Sequence, residues 1–183
     1  MKLDLACGAQ KVGAEYIGID AAQDAKPDLC MDLLRFPWDF PDDAAETVHC
    51  SHFIEHIPAE DRLEGNGRRV DLLVRFFEEV YRVMSPGGML TLRWPSPTAE
   101  PAFQDPTHRR FISRHFLAYL ARPWRKEYVP QYDFRMDFQL LSDKVMMDEK
   151  IVKHKEGSRF AHYHFNAIIE VSAELQVVKP MRA

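Results

Sequence analysis

Ten residues, Ala6 to Glu15, separate the first two apolar runs of the chain, Lys2–Leu5 and Tyr16–Ile19. Both runs are short and aliphatic, which is how strands buried in a parallel sheet read. Adjacent parallel strands joined through a full helix need a crossover of about a dozen residues or more. Ten residues leave that helix shortened or absent. A ligand bound here cannot depend on the positive end of a long helix, as a pyrophosphate does.

Two further short runs follow, Leu29–Met31, ending in Asp32, and Thr47–Cys50, ending in Ser51 and His52. Val70–Met84 reads as a helix, with Val70, Leu73, Phe77, Val80 and Met84 on one apolar stripe. Ser85-Pro86-Gly87-Gly88 ends it, because proline cannot continue a helix and glycine turns the chain. Met89–Trp94 is a fifth strand, and Ser113–Ala121 a second helix capped by Ser113. Near the C-terminus Phe165, Ala167, Ile169, Val171, Ala173, Leu175 and Val177 alternate with mostly polar residues. That is a long strand of period two, with Phe138–Met147 as its partner. This order predicts an α/β fold: a three-layer Rossmann-like sandwich on a mixed, mostly parallel seven-stranded sheet, with a C-terminal antiparallel hairpin.

The 183 residues suit a single domain spanning 1–183, and no internal repeat or linker divides them. The formal net charge of −4 gives no general attraction to nucleic acid or an anionic membrane. No apolar run is long enough to span a bilayer, and no basic segment followed by an apolar one opens the chain, so a cytoplasmic location is expected. Cys7, Cys30 and Cys50 form no CxxC pair and read as reduced, buried thiols. His154, His162 and His164 lack a completing carboxylate pattern, and no metal is expected.

Acidic residues fall at informative places. Asp4, Asp20 and Asp32 lie in or at the ends of three successive strands, where open α/β sheets bind ligands. A carboxylate such as Asp20 accepts two hydrogen bonds side by side and so suits a ribose diol. Asp32 is placed for the exocyclic amine of an adenine, with Leu33 and Leu34 offering an apolar face. The small residues Ala6-Cys7-Gly8-Ala9 allow close approach to the backbone.

Five segments together resemble the class I S-adenosylmethionine-dependent methyltransferases. Leu3-Asp4-Leu5-Ala6-Cys7-Gly8 is similar to that family's first motif, with Ala6 where glycine is usual. Tyr16-Ile17-Gly18-Ile19-Asp20 resembles its acidic second motif, and Asp32-Leu33 its adenine-contacting third. Ser51-His52-Phe53-Ile54-Glu55-His56-Ile57 resembles the Glu-His segment after the fourth strand. Phe77–Gly88 resembles the helix and Pro-Gly-Gly turn before the fifth. The resemblance covers roughly the first half of the chain in motif detail. It implies a cofactor site made from Asp4, Leu5, Ala6, Cys7, Gly8, Asp20, Ala21, Asp32, Leu33, Ser51, His52 and His56.

The resemblance implies methyl transfer from S-adenosylmethionine, with a small molecule as the leading acceptor class and RNA second. A non-catalytic S-adenosylmethionine sensor or partner subunit is the alternative. A dinucleotide-dependent oxidoreductase is opposed by the short first crossover and by the lack of G-x-G-x-x-G. His108, in the loop after the fifth strand, is either a general base for the acceptor or part of the turn made by Asp105 and Pro106. Arg109, Arg110, Arg114, Arg122, Arg125 and Lys126 alternate with aromatics, a pattern that suits phosphates and bases but fits ordinary amphipathic helices better. Arg62–Arg69 reads as a polar loop able to serve as a lid.

Overall fold

The computed structural model describes residues 1–65, 67–149 and 165–182. The strands are β1 (Lys2–Leu5), β2 (Ile17–Asp20), β3 (Leu29–Cys30), β4 (Ala45–Ser51), β5 (Asp61–Leu63), β6 (Arg69–Asp71), β7 (Met84–Pro95), β8 (Phe138–Met147) and β9 (Ile168–Val177). The α-helices are α1 (Leu72–Val83), α2 (Pro101–Gln104) and α3 (Arg122–Tyr128). Seven strands make one sheet in the order β3-β2-β1-β4-β7-β9-β8. The ladders from β3 to β7 are parallel, and β9 runs antiparallel to both β7 and β8. Strand order reverses between β1 and β4, which places the ligand crevice of such a sheet at their carboxyl ends.

Period two divides the sheet into an apolar and a polar face. Leu3, Leu5, Val48, Cys50, Leu90, Leu92, Ala173 and Leu175 are buried on the first. Against them α1 lays Phe76, Phe77, Val80 and Val83, and Phe77 meets Phe138 of β8 edge to face at 6.5 Å. On the second face a row in register, Gly18–Asp4–His49–Thr91–Glu174, crosses five strands. The 6–16 segment packs on that row, as the short crossover requires, and contains no helix. A Cβ on Gly18 would come within 2.6 Å of the Lys11 side chain and 2.9 Å of Cys7 Sγ, so this contact depends on glycine. The third layer of the sandwich is therefore a loop over β1 and β2.

Several boundaries differ from the sequence reading, each for a local reason. The Asp71 carboxylate accepts from the Leu73 amide and starts α1 at Leu72. Val70 is drawn into a β5–β6 hairpin opposite Arg62, so the expected loop over Arg62–Arg69 is in part a hairpin. The stripe rotates accordingly: Leu72 and Phe76 face the core and Leu73 is half-buried. Pro86-Gly87-Gly88 does not form a free turn. It lies within β7, where Gly87 takes φ +76° beside a register shift between Ala45 and Thr47. The Ser113 hydroxyl caps Arg114–Leu120 as expected, but that segment is a 3₁₀-helix. Only Cys50 is buried; Cys7 is half-buried and Cys30 exposed. Among the described residues no helix is long and apolar enough to cross a membrane.

Two buried carboxylates hold the elements together. Glu79 on α1 accepts from the Trp38 amide at 2.8 Å and from Arg75 and Arg82 at 3.0 and 2.5 Å. Asp137 accepts from the Arg122 and Arg182 amides and from the Arg182 guanidinium. Burial pushes both carboxyls up, and the donors around them outweigh it, so both end below the ordinary carboxylate range. A depressed folded-state pKa stabilises above the unfolded value and is lost as pH falls through the folded one. The contribution of these two carboxylates to stability in urea should thus be level near neutrality and decline below about pH 4. Glu79→Ala should cost about 3 kcal/mol or more at pH 7 by stranding the buried Trp38 amide and taking the shared carboxylate from two arginines; a cost under about 1 kcal/mol in urea titrations would show the network to be dispensable.

Candidate functional site

The chain leaves β1 through two left-handed residues, Ala6 at φ 55° and Gly8 at φ 56°. This turn aims the Gly8 amide at the Asp20 carboxylate, 2.9 Å away, at the end of β2. The Ala22 amide donates to the other Asp20 oxygen at 2.8 Å. Left-handed backbone costs an L-residue about 1–2 kcal/mol, which explains why glycine is the easier residue at Ala6. A side chain built on Gly8 would meet no atom within 4 Å, so this backbone faces open space.

Asp4 is 2% exposed, and its carboxylate accepts from the Val12 amide at 2.8 Å. Burial pushes its pKa up. In this structure Asp4 anchors the 6–16 segment. Leu5 is fully buried, so its side chain belongs to the core. Ala21 is exposed beside Asp20. Asp32 closes a turn onto the Leu34 amide at 2.9 Å and pairs with Arg35 at 3.3 Å. Leu33 does not offer the expected apolar face. It is 3% exposed, and the Trp38 indole N–H donates to its carbonyl. Leu34 is the half-buried member of that pair.

The end of β4 carries a second constellation. Ser51 is half-buried, and His52 takes φ 52°. The His52 ring lies between Glu55, at 3.2 Å from Nδ1, and Glu170, at 2.9 Å from Nε2. Glu55 first, then Glu170, hold the imidazolium proton above the ordinary histidine range. Arg93 donates to Glu170 at 2.7 Å. The 3₁₀ turn Ile54–His56 buries Glu55, and the amides of Arg109 and Arg110 both donate to its carbonyl, at 2.7 and 3.0 Å. That clamp brings the loop after β7 onto the segment that follows β4, where the His56 and His108 rings meet edge to face at 4.7 Å.

His108 is nearly enclosed, with Nδ1 2.9 Å from the Ala102 carbonyl and Nε2 4.0 Å from Asp105. Its amide also donates to the Asp105 carbonyl, so the expected turn is present. The basic segment is in part structural: Arg110 donates to the Ile57 and Pro58 carbonyls and Asp71, and Arg125 to the Tyr119, Phe134 and Met136 carbonyls. Phe103, Phe111 and Phe165 are exposed together, the first two stacked at 4.5 Å. Glu55, Thr107 and Glu170 escaped the sequence reading as site residues. Glu55 lies inside the Glu-His segment and was detectable there, whereas Glu170 looked like one more polar position of an alternating strand. His154, His162 and His164 lie outside the described residues.

No family model matches the sequence, and no curated protein does. Solved structures do match. A SAM-dependent methyltransferase from Archaeoglobus fulgidus is 17% identical, with 96% of this chain and 85% of that one aligned at a TM-score of 0.58. An S-adenosylmethionine-dependent methyltransferase from Clostridium acetobutylicum is 11% identical over 97% of this chain and 83% of its own, also at 0.58. The cyclase SpnF is 15% identical over 97% and 74%, at 0.59. Strand order, the reversed β9 and these alignments agree: the chain has the class I, Rossmann-like fold of the S-adenosylmethionine-dependent methyltransferases.

Proposed function

We propose that the chain binds S-adenosylmethionine at the carboxyl ends of β1, β2 and β4 and transfers its methyl group to a small-molecule acceptor. The observation that carries this reading is the Gly8–Asp20 pair at the end of a crossover without a helix. It offers a carboxylate for a ribose and no helix N-terminus for a pyrophosphate. The residues fit the group: each Asp20 oxygen accepts one amide and keeps a lone pair for a hydroxyl, and the Gly8 backbone borders open space.

When bound, the cofactor supplies a methyl already made electrophilic by its sulfonium. The chain has to hold the ribose through Asp20, let the cofactor approach through Gly8, and orient an acceptor from the loop after β7 while excluding water. The exposed Phe103, Phe111 and Phe165 flank that loop and suit an acceptor with an apolar or aromatic part. Arg110 and Arg125, two members of the basic segment, are bound to carbonyls, which leaves less of that segment for RNA phosphates and supports the small molecule. SpnF, a cyclase on the same fold, is a reason to measure transfer directly. The direct test is a screen of acceptor compounds that reads S-adenosylhomocysteine release.

Asp20→Ala should weaken S-adenosylmethionine binding by about 1.5–3 kcal/mol in calorimetry while leaving the far-ultraviolet spectrum native. Unchanged affinity would remove Asp20 from the site. Gly8→Val should abolish binding, since the side chain would project into the open space and valine resists φ 56°. Normal affinity in that variant would relocate the cofactor away from the β1 turn.

A further inference from the structure

We infer that Glu55, His56 and His108 form a site for one divalent transition-metal cation of the zinc type. One ligand atom from each of the three lies within 4.8 Å of the others. Glu55 is 1% exposed, and its Oε2 has no hydrogen-bond partner among the described residues. A buried carboxylate oxygen left unpaired is costly, and native structures rarely keep one without a use. Its other oxygen is held by His52, which fixes the carboxylate beside the two histidines.

Both imidazoles are prepared as ligands. His108 donates from Nδ1 to the Ala102 carbonyl, which leaves an Nε2 lone pair. The Thr107 hydroxyl spends its hydrogen on Asp105 at 2.7 Å, so it can only accept from His56 Nδ1 at 2.9 Å. His56 therefore also carries its proton on Nδ1 and presents a bare Nε2. A histidine fixed through Nδ1 to a carbonyl, or through a hydroxyl to a carboxylate, has the second-layer support typical of metal ligands. Ligands at about 2.0–2.2 Å from a zinc ion stand roughly 3.5 Å apart, so binding would draw these atoms together by roughly 1 Å.

Two imidazoles and one carboxylate leave a tetrahedral ion one open position, the arrangement of catalytic rather than structural zinc. On the methyltransferase reading, on which this part rests, that position would take an oxygen of the acceptor. The role uses the same Nε2 lone pair of His108 that a general base would need, so the two assignments exclude each other.

The test is calorimetric titration of chelator-stripped protein with zinc chloride. One ion per chain should bind. Glu55→Gln, His56→Ala and His108→Ala should each weaken binding by about 100-fold or more, and Thr107→Val by about 10-fold. His115→Ala, which removes an exposed imidazole elsewhere, should change nothing. The cobalt-substituted protein should show no thiolate charge-transfer band. No binding, binding indifferent to both Glu55→Gln and His108→Ala in natively folded variants, or a thiolate band marking a cysteine site would each overturn the assignment. Titrating the metal-free protein with S-adenosylmethionine tests the cofactor reading separately, so either can fail alone.

Discussion

The amide of Gly8 points at the Asp20 carboxylate because the backbone turns left-handed at Ala6 and again at Gly8. That bond locks the ends of β1 and β2 into one rigid edge. The Cys7 amide, donating to the Ile19 carbonyl at 3.1 Å, reinforces that rim, and Asp4 fastens the 6–16 segment further back through the Val12 amide. Everything proposed for the cofactor depends on this rim. The carboxylate is oriented before any ligand arrives, and the open space beside Gly8 is held clear by backbone geometry. Strain at a functional edge is common where the surrounding structure over-determines it. Here two anchors, Asp4 and Asp20, do so.

Charge is used differently in two other places. On α1, Glu79 is surrounded by donors and behaves as a structural anion that fixes the Trp38 loop to the helix. Beyond β4, Glu55 is as deeply buried but only half satisfied. The contrast between two glutamates of equal burial marks one as scaffold and the other as unfinished chemistry. Arg93, Glu170 and His52 form the chain of charge that steadies the second.

Much of the fold was legible because its signals are local. Short apolar runs ending in Asp20 and Ser51, and the alternation through Val171, Ala173 and Leu175, report strands by themselves. That the first crossover has its helix shortened or absent followed from counting residues. The Val70 boundary was not legible, because a cross-strand partner, Arg62, decided it over helical periodicity. Leu33 was misassigned because its position after an aspartate suggests a pocket wall, whereas the Trp38 indole pins it into the core. The His56–His108 meeting was out of reach for a similar reason. It depends on two amides donating to the Glu55 carbonyl across more than fifty residues of sequence, which no local pattern encodes.

The position of β9 has a consequence for how the chain comes into being. β9 lies between β7 and β8, and among the described residues β8 has no other partner in the sheet. During synthesis β8 emerges first, and among the described strands its partner is made only afterwards. The parallel half, β1 to β4 with β7, can assemble on α1 meanwhile, since every one of its ladders joins strands already present. Closure of the antiparallel edge is thus a late event that depends on long-range contacts, the slow kind. Until then Leu140, Leu141 and Met146 wait on an unpaired strand. The order of the strands thus builds an interval open to wrong association into the making of the sheet.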